Sequence, residues 1–79
     1  MENEVVYSLT KADIICKAYE AMEDCSAYMN NGSRKLAARA RGIALHWEFV
    51  LYFNLGVEDS EWKDSDYESM VARADAMDI

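Results

Sequence analysis

No proline occurs in this chain and only three glycines do, so almost nothing in its 79 residues forbids a helix. Two of the glycines stand where helices should stop. In "YMNNGS" Gly32 is placed to take the left-handed conformation that ends a helix, and in "FNLG" Gly56 is placed likewise. The periodicities between these stops predict an all-α fold, a small three-helix bundle or open helical array with a long central helix. It should form one acidic domain over residues 1–79, with helices at about 11–30, 34–55 and 66–77. Gly42 falls inside the central helix, where glycine costs about 1 kcal/mol relative to alanine. Close packing is the expected reason for it.

The first helix is announced by "TKAD", a capping box with Thr10 at the cap and Asp13 in the place usual for Glu. Behind it Ile15, Ala18, Met22, Cys25 and Met29 recur at spacings of three and four, with Ile14, Ala21 and Tyr28 widening the stripe. Cys16 and Cys25 lie on this one helix about 13 Å apart along its axis, too far to bridge, and read as packed helix residues. The third helix is announced by "SDYE", with Ser65 and Glu68 as reciprocal caps, and carries the strip Tyr67, Met70, Val71 and Ala74. Between Gly56 and Ser65 "VEDSEWKD" reads as a loop or a single helical turn, capped by Ser60 and anchored by Trp62. Before the first helix "EVVYS" reads as a short extended N-terminal arm or an edge strand.

The central stretch from Ser33 to Gly56 sets two problems. Projected at the helical angle, Leu36, Ala40, Ile43, Ala44, Trp47, Val50 and Leu51 form a broad core face, with Ser33 as the cap. The opposite side carries Arg34, Ala38 and Arg41 and then Leu45, Phe49 and Tyr52, so its second half has almost no face left for water. Two readings cover it: Val5, Val6 and Tyr7 fold back over Leu45 and Phe49, or the side formed by Arg34, Arg41, Leu45, Phe49 and Tyr52 meets a second copy or another protein. The second problem is charge. Arg34, Lys35, Arg39 and Arg41 crowd the start of this helix, the end where the backbone dipole repels cations. The preferred answer is pairing inside the fold with the segment from Glu58 to Asp78, which holds eight acids; the other is an acidic surface on a partner.

Composition narrows the function classes. With 15 acidic and 8 basic residues the formal charge is -7 and the pI near 4.5, which opposes encounter with phosphate, so no direct nucleic-acid binding is expected. The hydrophobic fraction of 52% suits a folded chain rather than a disordered one. No apolar run reaches membrane-spanning length, and the opening "MENEVVYSL" lacks the basic start of a signal peptide, so the expected location is the cytoplasm, of a host cell if the protein is viral. A single histidine and two separated cysteines offer no metal-ligand spacing. His46 and Glu48 are two apart on a helix and do not face each other, so His46 reads as a core-boundary residue. Glycine-rich phosphate loops and nucleophile signatures are missing from the sequence; no catalytic residue, cofactor or metal is expected.

The carboxylates point elsewhere. Glu58, Asp59, Glu61, Asp64, Asp66, Glu68 and Asp75 project from a short segment and can imitate the charge ladder of a duplex, which repeats about every 1.7 Å. The expected function is therefore a small acidic protein-binding module, a stoichiometric inhibitor that occupies the basic surface of a nucleic-acid-handling protein, as virus-type anti-defence proteins do. The alternative is a homodimeric structural or regulatory adaptor joined through the apolar central helix.

Overall fold

A computed structural model describes residues 9–79. Three α-helices, α1 (Lys11–Asn30), α2 (Arg34–Phe49) and α3 (Ser65–Ala76), form an all-α bundle, with no strand among the described residues. The helix α2 continues as a π-helical turn, Val50–Asn54, and a 3-10 turn, Asp59–Glu61, precedes α3. The expected extended arm and its possible strand, together with the fold-back of Val5, Val6 and Tyr7, lie outside the described residues.

Helix α1 starts as its sequence dictates: Thr10 N–H donates to Asp13 Oδ2 and Asp13 N–H to Thr10 Oγ1, both at 3.1 Å. It ends in a full Schellman motif. Gly32, at φ 76°, donates to Met29 O while Ser33 N–H donates to Tyr28 O at 2.8 Å. Ser33 gives α2 no side-chain cap, contrary to expectation; its backbone, at φ -90° and ψ 75°, is outside the extended conformation of a capping residue. Two further caps also differ. Asp64, not Ser65, starts α3, accepting from Tyr67 N–H at 2.8 Å, and the 3-10 turn begins at Glu58, whose N–H donates to Glu61 Oε2, rather than at Ser60.

Along the α1/α2 seam the buried residues are small: Ala18 and Ala21 on one helix, Ala37, Ala40 and Ala44 on the other. Met22, Cys25, Met29 and Ile14 fill around them from α1, and Leu51 from the π-helical turn. Leu36 and Ile43, expected in this core, are exposed, and Ala37 takes their place. The face of α2 that meets α1 is thus narrower and turned toward Ala37. Helices whose contact residues are alanines approach closely, and a Leu or Ile in the seam would hold them apart. Gly42 is not part of that approach, since a Cβ there would meet nothing within 4 Å.

Helix α3 packs chiefly on α1, through Tyr67 and Ala74 with Met70 and Val71 partly buried. At its N-terminal end Tyr19, Trp62 and Tyr67 form a triangle of edge-to-face rings, 4.9 to 6.1 Å apart. Tyr19 OH donates to Trp62 O and accepts from Asp64 N–H, so the anchoring role expected of Trp62 is shared with α1. Trp62 Nε1 is buried without a hydrogen-bond partner among the described residues. Farther along, Arg73 donates to Ser26 Oγ at 3.3 Å and to the Asn30 side chain of α1.

Candidate protein-binding surface

The gap between α2 and α3 is crossed by long polar side chains spaced seven apart on α2, Arg34, Arg41 and Glu48. Arg34 Nη2 donates to Met77 O at 2.6 Å and Asp78 O at 3.4 Å, just beyond the end of α3. Arg41 pairs with Asp75 at 3.0 Å and also reaches Met22 Sδ. Glu48 accepts from Lys63 Nζ at 3.0 Å through Oε1 and from Tyr67 OH at 2.8 Å through Oε2. The two helices run antiparallel, so the cation at the positive end of α2 stands at the negative end of α3, where it is favourable. The charge problem of Arg34 and Arg41 is thereby answered inside the fold. Lys35 and Arg39 stay exposed.

Glu48 and Lys63 form the most enclosed ion pair described, with side chains 14% and 12% exposed. Burial alone pulls the Lys63 ammonium down, and the Glu48 and Asp59 carboxylates more than reverse it, leaving the group above its ordinary 10.5. Lys63 Nζ also lies 5.5 Å from the Trp62 ring centre and 5.8 Å from that of Tyr67. The Tyr67 phenol is pushed up by burial and by the adjacent Glu48 carboxylate. Glu48, Lys63 and the Tyr67 hydroxyl all have internal partners, which is how a structural cluster is built.

Beyond Glu48 the outward side of the helix is apolar. Phe49, Tyr52 and Phe53 are 58%, 49% and 72% exposed, and their rings touch edge to face, Phe49 to Phe53 at 5.9 Å and Tyr52 to Phe53 at 4.9 Å. Together with Glu48 and Asp59 they line an open groove of about 390 Å³. The expected face is therefore split: Phe49 and Tyr52 stand outward, Leu45 is half-buried, and Arg34 and Arg41 are engaged with α3. Phe53, the most exposed ring, escaped the sequence reading. Helical projection at a fixed angle fails past Phe49, where the π-helical turn carries more residues per revolution and swings later side chains.

The seven expected acidic residues divide as well. Asp59 and Asp75 pair with Lys63 and Arg41, Asp64 caps α3, and Glu61 closes the 3-10 turn and lies 3.9 Å from Lys11. Glu58, Asp66 and Glu68 are exposed, and among the described residues their side chains carry no ion pair. His46 is exposed at the edge of Trp47, Cys16 is exposed, and Cys25 is a buried thiol raised by burial. Among the described residues no three His, Cys, Asp or Glu side chains gather to hold a metal ion, and no helix is long and apolar enough to cross a membrane.

No protein-family model matches the chain. Comparison with curated proteins and with solved structures returns no relative and no structural neighbour.

Proposed function

We propose that this protein is a small acidic binding module that acts by occupancy, docking the ring cluster Phe49, Tyr52 and Phe53 and the carboxylates around it onto the basic surface of a nucleic-acid-handling protein. The observation that carries the reading is the clustering of three exposed rings on one helix end. Aromatic side chains are the commonest anchors of protein interfaces, and leaving three together in water is unfavourable unless something covers them. The net charge of -7 selects a basic partner, steers its approach and disfavours a second copy of the same chain. A basic surface that binds nucleic acid is one for which such a chain competes, and this defines a stoichiometric inhibitor of the virus-type anti-defence kind.

The test captures partners from host lysate with the tagged protein and with two variants, Phe49→Ser/Phe53→Ser and Glu58→Lys/Asp66→Lys/Glu68→Lys. The expected result is a nucleic-acid-binding protein released by oligonucleotide or by high salt, lost with the first variant and weakened by the second. Retention of the same partner by the ring variant would defeat the docking surface. A particle of twice the chain mass, insensitive to salt and split by the ring variant, would establish the homodimeric adaptor instead.

A further inference from the structure

We infer that the groove beside Glu48 and Asp59 receives a single arginine side chain from the partner, an inference that rests on the ring cluster being the docking surface. Three observations meet there. Its lining is of two kinds, the aromatic residues Phe49, Tyr52 and Phe53 and the acidic residues Glu48 and Asp59. The rings are inclined to each other at 63° and 88°, so they form a corner rather than a stack, and all three keep much of their surface in solvent, where a planar group can reach them.

The local charge is also incomplete. Glu48 and Asp59 carry two negative charges and share one cation, Lys63. One negative charge is left over, and it resides on Asp59, whose side chain is 59% exposed and whose Oδ1 accepts no hydrogen bond among the described residues. An incoming cation would neutralise it. The protein already uses this mode of recognition internally, since Lys63 lies over two rings while its ammonium contacts these same two carboxylates. The groove repeats that arrangement on its outer side with the cation absent from the chain.

Arginine fits better than lysine. A guanidinium is planar, stacks on a ring face, sheds water more readily than an ammonium and presents donors that match a carboxylate edge. Basic surfaces that grip phosphate are rich in such side chains. The groove is open and its volume lies within the range of ordinary ligand clefts, about 300 to 1,000 Å³, so one extended side chain can enter without rearrangement.

The experiment titrates the protein with the peptide Gly-Gly-Arg-Gly-Gly and its citrulline twin, which keeps the shape and removes the charge, following the aromatic NMR signals of Phe49, Tyr52 and Phe53 and the backbone amide signals of the whole chain. The expected result is saturable shifts confined to these rings and Asp59, about tenfold weaker with citrulline and about tenfold weaker with Phe53→Ala or Asp59→Asn. Equal binding of the two peptides, or arginine shifts elsewhere on the surface, would overturn the inference. If Phe53→Ala abolishes capture of the partner while the peptides bind alike, the arginine receptor falls and the docking surface stands. If Phe53→Ala leaves partner capture intact, the docking surface falls, and the arginine inference with it. Self-association abolished by Arg39→Gln would make the occupant a second copy and likewise overturn it.

Discussion

A methyl group at position 42 would project into open space from the middle of a helix, and the backbone there needs no glycine freedom. Gly42→Ala should therefore stabilise the protein by about 1 kcal/mol, visible as a rise of several degrees in thermal midpoint. Glu48 is the opposite case, since both of its oxygens are used and its neighbour Lys63 is nearly enclosed. Glu48→Ala leaves that ammonium without its closest partner and should cost about 3 kcal/mol, whereas the double variant Glu48→Met/Lys63→Met should cost far less. Denaturant unfolding of Glu48→Met, Lys63→Met and the double separates the coupling from the loss of either group. Part of this was legible in the sequence, because Arg34, Arg41 and Glu48 recur every seventh position and so share a face. The segment that answers the arginines, Glu58 to Asp78, was legible as well; which of its groups each side chain meets was not, since Met77, Asp75, Tyr67 and Lys63 come near only after α3 has turned back along α2.

Helix ends were easier to find than to assign. Gly32 and Gly56 take φ of 76° and 66° as stop signals should, and the Thr10 box forms as written. Where Ser65 and its neighbour Asp64 could both serve as the cap of α3, an ionised carboxylate at a helix N-terminus is the stronger acceptor, and Asp64 does so. Hydrogen bonds from Thr10 hold the Asp13 carboxyl below its ordinary value, and the Tyr67 N–H does the same for Asp64. A carboxyl depressed in the fold stabilises it above the unfolded value of 3.8, and that stability is lost as pH falls through the lower folded one. Circular dichroism during acid titration should show helix loss below that value, while Asp13→Asn/Asp64→Asn should flatten the response. The π-helical turn is the element that sequence reasoning could not supply. Nothing in "VLYFN" departs from helical preference, yet the widened turn sets Leu51 inward and Tyr52 and Phe53 outward.

At the scale of the molecule, the three-helix architecture followed from stop signals and periodicity. The face that α2 buries followed in part: Ala40, Ala44 and Leu51 are buried and Trp47 and Val50 pack against the core as expected, but Ala37 replaces Leu36 and Ile43, because alanine carries a weak hydrophobic signal and wins the seam by being small. Burial raises the Tyr67 phenol, and the carboxylates, against burial, raise the Lys63 ammonium; both are elevated in the fold. Their contribution is complete below the unfolded values of 10.0 and 10.5 and is lost as pH rises beyond them. Alkaline titration should therefore unfold the protein from about pH 10 upward, with Tyr67 ionising together with the loss of helix, while Tyr67→Phe moves the onset to higher pH. The alanine seam joins two helices that are neighbours in sequence, whereas α3 is tied down by bonds reaching across more than forty positions, such as Arg34 to Met77 and Arg73 to Asn30. Assembly accordingly has an order. The hairpin of α1 and α2 closes over a short loop and can form first, and α3 docks afterwards onto a surface already made, so amide protons of α3 should exchange with solvent through partial openings that leave the hairpin intact.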